Sequence, residues 1–147
     1  MSAACALPDP QYSATLAPMQ ILVVEDERRQ REYMVDILSA NGTQVVSAST
    51  AHEAIRMAAQ LRPAVIILDG LLPGMHGFEV ARFIRALDPS YRPRIVMMTA
   101  IYKHMRYQNE AKLKYGIDDY LVKPINEEQL NGIVRSARSA QMEDSHA

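Results

Sequence analysis

The stretch VIILDGLLPGMHG, Val65 to Gly77, decides how this chain folds. Four apolar residues run without interruption into a carboxylate, Asp69. Glycines at 70, 74 and 77 and a proline at 73 follow at once. An apolar run this short and this rich in branched side chains predicts a strand buried on both faces. Such a strand, ending in an ionisable group and then turning sharply, carries that group to the edge of a sheet.

Working outward, the same kind of run recurs. ILVV (21–24), TQVVSA (43–48), AVIIL (64–68), RIVMM (94–98) and YLV (120–122) are predicted strands. Between them lie stretches of helical period. Residues 28–40 place Met34, Ile37 and Leu38 on one face and stop at Asn41 and Gly42. Thr50 and Glu53 have capping-box spacing ahead of Ala54, Ile55, Ala58 and Leu61, and Arg62 and Pro63 end that helix. Gly77 to Leu87 repeats Phe78, Ala81, Ile84 and Leu87 before Asp88 and Pro89. Tyr102 to Tyr115 is charged and weakly periodic and is taken as a helix. Asn126 and Gln129 open the last helix, with Leu130, Ile133, Val134 and Ala137 inward. Strands alternating with helices predict an α/β domain with a parallel sheet covered on both faces.

The composition bounds the remainder. At 147 residues the chain has room for one core, and 16 basic against 17 acidic residues leave a formal charge of -1. No global field draws it to nucleic acid or anionic lipid. The lone Cys5 has no thiol to pair with, which fits a reducing, cytoplasmic setting. No run reaches the length of a membrane span. Residues 1–18, with three prolines, are expected to be a disordered extension, 19–140 the domain, and 141–147 a frayed tail.

In a doubly wound sheet, ligands gather where the strands end. There stand Glu25, Asp26 and Glu27 after the first strand, Asp69 after the third, Thr99 and Ala100 after the fourth, and Lys123 after the fifth. Carboxylates brought close repel unless they are protonated or share a cation, and a hard divalent ion such as Mg2+ takes oxygen ligands. Asp69 could then act as a nucleophile toward phosphorus, with Lys123 and Thr99 meeting phosphoryl oxygens. Each residue has a plainer reading. Acids before a helix suit its N-terminus, Asp69 could cap a turn, and Lys123 and Thr99 could be surface groups. Glu27 is expected to be solvated. The histidines at 52, 76, 104 and 146 lack metal-ligand spacing.

Taken together, EDE, DGLLPGMHG, MTA and YLVKP resemble the receiver domain of two-component response regulators. Asp26, Asp69, Thr99 and Lys123 stand 43, 30 and 24 residues apart in turn. The resemblance covers roughly residues 19–140 and implies a flavodoxin-like doubly wound sheet, order 2-1-3-4-5. It implies that Asp69 accepts a phosphoryl group from a histidine kinase or histidine phosphotransfer protein. Mg2+ would be held by Glu25, Asp26, Asp69 and the carbonyl of Leu71. It further implies a cis bond before Pro124 and a switch in which Thr99 and Tyr120 move together, altering a face that binds a downstream protein or a second copy. Catalysis would be self-directed only: phosphoryl capture and later hydrolysis. Bulky Leu71 and Ile101 would slow the attacking water. The segment between the last two strands is about two residues longer than in compact receivers, and its basic, aromatic stretch from Tyr102 to Tyr107 could dock a partner. Alternatives are a phosphorylation-independent module of the same shape and a receiver fragment of a larger regulator. A haloacid dehalogenase-type phosphatase would want an acid where Leu71 stands.

Overall fold

The computed structural model describes residues 19–100 and 116–146. The N-terminal extension expected over 1–18, the helix expected over Tyr102–Tyr115, and Ile101 lie outside them.

Five parallel strands form the sheet: β1 (Gln20–Val24), β2 (Gln44–Ala48), β3 (Val65–Asp69), β6 (Arg94–Thr99) and β7 (Asp119–Val122), in the order β2-β1-β3-β6-β7. A two-residue hairpin, β4 (Leu71–Leu72) with β5 (Met75–His76), follows β3. With the hairpin set aside, this is the expected 2-1-3-4-5 arrangement. Helices α1 (Arg28–Ala40), α2 (Ala51–Leu61), α3 (Gly77–Arg85) and α4 (Glu127–His146) connect or follow the strands.

Strand alternation divides the core in two. Leu22, Val24, Ile66, Leu68, Ile95 and Met97 pack on one face with Ala54 and Ala58 of α2 and Val80, Ala81 and Ile84 of α3. Ile21, Val23, Val65, Ile67, Val96 and Met98 pack on the other with Met34 and Leu38 of α1 and Leu130, Ile133 and Val134 of α4. Because side chains of successive strand residues point oppositely, a continuous apolar strand serves both layers. All five residues of β3 are buried.

The helix ends follow local chemistry. Thr50 Oγ1 accepts from Glu53 N–H at 3.2 Å, and Glu53 Oε1 in return takes the Ser49 N–H at 3.0 Å, one residue earlier than a capping box requires. Asn126 and Gln129 close a reciprocal box, with bonds of 2.8 and 2.9 Å. Helix α3 ends at Arg85 rather than Leu87, because Leu87 N–H turns to Ile84 O in a tighter last turn. The last helix continues beyond residue 140 to His146. Its sequence there, QMEDSH, contains neither glycine nor proline to stop it.

At the lower pole Arg85 ties three segments. It donates to Gly116 O at 2.6 and 3.1 Å, to Pro93 O at 2.7 Å and to Asp118 Oδ2 at 3.0 Å. At the upper pole the loop after β3 is clipped to its neighbour, Gly70 N–H to Met98 O at 2.8 Å and Gly77 N–H to Gly70 O at 2.9 Å. That closeness dictates Gly77. A Cβ there would strike the Asp69 carbonyl oxygen and fall 2.8 Å from Gly70 Cα. Gly74 instead has open space around it but a φ of +80°, so only its backbone conformation asks for glycine.

Gly77→Ala is therefore expected to cost on the order of 2 kcal/mol in urea unfolding by forcing backbone apart. Gly74→Ala, which strains only its own dihedrals, should cost about 1 kcal/mol. Equal midpoints for the two variants would show that close approach does not govern the loop.

Candidate functional site

The strands whose apolar residues build the core end together at the upper pole, and their last polar side chains meet. Glu25 follows β1, Asp69 and Thr99 end β3 and β6, and Lys123 follows β7. Glu25, Asp69 and Thr99 are all buried, at 1, 5 and 6 % exposure. The depth of the first two is notable for carboxylates, which are seldom buried unpaired. Their partner is one ammonium: Lys123 Nζ lies 2.9 Å from Glu25 Oε1 and 2.9 Å from Asp69 Oδ2. The other carboxylate oxygens take backbone donors, Glu25 Oε2 from Glu27 N–H at 3.2 Å and Asp69 Oδ1 from Leu71 N–H at 3.0 Å.

Register places the rest. Asp69 pairs with Met98, Thr99 with Val122, and Tyr120 with Met97. The Lys123 N–H donates to Thr99 O at 2.8 Å, so the lysine and the threonine are joined through the backbone. The Lys123-Pro124 bond is cis. Tyr120 is half-buried, its ring packed against the α2/α3 side of the core. A cavity of about 260 Å³ opens over the group, lined among others by Glu25, Asp26, Asp69, Leu71, Thr99 and Lys123. His76, in the hairpin opposite Leu71, also borders it.

The electrostatics follow from burial. Burial pushes the Glu25 carboxyl up to about 7; the Lys123 bond opposes this and neighbouring Asp69 adds to it. For Lys123, burial pulls downward, but the bonds to Glu25 and Asp69 outweigh it and its proton is held more tightly than usual. Ligand oxygens of Glu25, Asp26 and Asp69 lie within 4.8 Å of one another. Two acids sharing one ammonium, with Asp26 close beside them, form a set short of positive charge, and the oxygen donors suit a hard divalent cation. The residues present thus fit a metal ion.

Glu27 is not merely solvated. Its side chain caps α1, Oε2 accepting from Gln30 N–H at 2.7 Å and Oε1 from Arg29 N–H at 3.1 Å, and these bonds hold its carboxyl below the usual range. Glutamate is an unusual cap, so the residue type concealed the role. The sequence also gave no signal for Arg31, whose Nη1 donates to Glu25 O at 3.0 Å and Asp26 O at 3.3 Å.

The family model of the response regulator receiver domain matches residues 21–135. The chain is 36% identical over 119 residues to the response regulator MprA of Mycolicibacterium vanbaalenii, covering 81% of this chain and 50% of that protein. It is 32% identical over 116 residues to the transcriptional regulatory protein AfsQ1 of Streptomyces coelicolor, covering 79% and 49%. The chain therefore spans about half the length of these curated relatives. Among solved structures, the chemotaxis protein CheY4 of Vibrio cholerae superposes with a TM-score of 0.74 at 28% identity, over 82% of this chain and 98% of that one. The receiver domain of the sensor histidine kinase PA1611 of Pseudomonas aeruginosa, solved with magnesium coordinated in its active-site cleft, gives 0.72 at 29%, over 83% and 98%. Among the described residues no helix is long and apolar enough to cross a membrane.

Because folded Glu25 binds its proton more tightly than the unfolded value of 4.5, the unfolded chain holds fewer protons and stability falls as pH rises between those values. In a chelator, the melting temperature should decline from about pH 5 to about pH 7, and Glu25→Gln should flatten that decline. An identical slope in the variant would remove Glu25 as its source.

Proposed function

This chain belongs to the response regulator receiver domain family, and we propose that it is a phosphoacceptor, with Asp69 capturing a phosphoryl group and the fold reporting its presence to a partner. The observation that carries this reading is the position of Lys123, whose ammonium bridges Glu25 and Asp69 at 2.9 Å each across the mouth of the cavity. A reactive carboxylate needs a neighbouring cation that can turn to an incoming phosphoryl oxygen, and the contact of Lys123 with Asp69 supports it in that part.

In the proposed reaction an Asp69 carboxylate oxygen attacks phosphorus, and the P–N bond of a phosphohistidine, or the P–O bond of a small acyl phosphate, breaks with its electron pair leaving on the donor. Lys123 stabilises charge on one phosphoryl oxygen, and the Thr99 hydroxyl would donate to another. The Leu71 N–H, already bound to Asp69 Oδ1, orients the nucleophile. Glu25, Asp26, Asp69 and the Leu71 carbonyl would hold Mg2+, which supplies charge neutralisation for the approaching anion. Water later hydrolyses the acyl phosphate, so the chain turns over nothing but itself. Leu71, 53% exposed at the cavity edge, would hinder that water.

The signal would be a shift in population. Thr99 drawn toward the phosphoryl group would alter the strand end that it shares with Lys123, and Tyr120 two strand positions before Val122 would follow, changing the face around β7 and α4. The donor is a histidine kinase or histidine phosphotransfer protein by family, and the receiving protein, or a second copy of this chain, is read from that face. The binding-module alternative has no observation of its own; two buried carboxylates on one half-buried lysine, with exposed Asp26 beside them, are costly to keep for shape alone.

Intact mass after incubation with acetyl phosphate and Mg2+ should show one added phosphoryl group in the wild type and none in Asp69→Asn or with chelator. An unmodified wild type would leave the passive module. In the phosphorylated protein, Leu71→Asn should accelerate loss of the group several-fold, followed by mass against time after donor removal; an unchanged lifetime would free Leu71 of that role.

A further inference from the structure

Arg31 lies in the first turns of α1, its N–H bonded to Glu27 O at 3.0 Å, and it is half-buried. Its side chain does not run outward with those of its neighbours Arg28 and Arg29. It turns back beneath the acidic pair, where Nη1 donates to the carbonyl oxygens of two consecutive residues, Glu25 at 3.0 Å and Asp26 at 3.3 Å. Those residues lie just past β1, whose pairing with β2 and β3 ends at Val24. The Glu25 N–H still reaches Ala48 O at 3.1 Å, but the two carbonyls have left the ladder.

We propose that Arg31 is a positioning residue: by tying these two carbonyls it holds Glu25 and Asp26 turned toward Asp69, and so sets the affinity of the cluster for a divalent cation. The inference rests on the reading of the site given above. Carboxylates whose ligand atoms lie within 4.8 Å repel, and the cheapest relief is rotation of the peptide that joins the first two. One guanidinium bonded to both carbonyls opposes that rotation, because its charge-assisted bonds fix both peptide planes at once. Glu25 depends on that plane most. Its two carboxylate oxygens are committed to Lys123 and to the Glu27 N–H, and both contacts require the main chain where Arg31 keeps it.

The sign of the effect separates positioning from plain charge. A nearby cation by itself repels Mg2+, so removing it would tighten binding; a residue that aligns the ligands would, on removal, weaken it. The full chain is titrated with Mg2+ by calorimetry as wild type, Arg31→Ala, Arg31→Lys and, as a control, Arg28→Ala. Arg28 is exposed and pairs only with Glu32, at 2.9 Å, among the described residues. Arg31→Ala should weaken Mg2+ about tenfold, as loss of a group that orients metal ligands does. Arg31→Lys, able to meet one carbonyl, should recover part of the loss, and Arg28→Ala should match the wild type. Unchanged or tighter binding in a folded Arg31→Ala overturns the proposal, even where its melting temperature falls. Should circular dichroism show Arg31→Ala unfolded, Arg31→Lys decides: wild-type affinity there overturns it, and a several-fold loss supports it. A wild type that takes up no Mg2+ at all overturns the functional reading itself, an outcome distinct from the failure of Arg31 alone.

Discussion

One ammonium group shared by two buried carboxylates is the constraint around which this structure is arranged. Charges removed from water are expensive unless matched, and a parallel sheet with helices on both faces leaves only its strand ends for polar groups. Glu25 and Asp69 lie at 1 and 5 % exposure, and Lys123 must reach both. Everything apolar below them serves that meeting. The two core layers fix β1, β3, β6 and β7 side by side, and the register of β6 with β7 delivers Lys123 to the level of Thr99. The site is short of positive charge by construction, which is what makes it receptive to a cation.

Much of this was legible in the sequence. Short branched runs such as VIIL and RIVMM have no other stable home than a sheet buried on both sides, so strand number and direction followed. The ends of those runs named Glu25, Asp69, Thr99 and Lys123. The hairpin at Leu71–His76 was not legible, because two-residue strands have no period to read. The end of α3 was set by a tightened turn that the apolar repeat through Leu87 hides. Arg31 and Glu27 were missed for a common reason. Long polar side chains near a helix start look solvated in a sequence, and only the fold shows which backbone groups they reach.

The two poles of the sheet are managed differently. At the lower end Arg85 uses its several donors on Gly116, Pro93 and Asp118, so the segments there are joined by bonds to carbonyls and a carboxylate. At the upper end the backbone clips Gly70 to Met98 and Gly77 to Gly70, beside the side chains that line the cavity. A rigid base with a polar crown suits a fold whose binding residues stand at strand ends or just past them.

The reach of Lys123 has a mechanical side. From the end of β7 it meets an acid just past β1 and another at the end of β3, strands three and two places away in the sheet. Among the described residues β7 borders the sheet and pairs only with β6, and all four of its residues are half-buried. At this end the ion pairs add to its bonds with β6, a guy-line from this strand to the middle of the sheet. Any charge that takes the acids from the lysine slackens that line, so occupancy of the crown and stiffness of the border strand are two readings of a single tension.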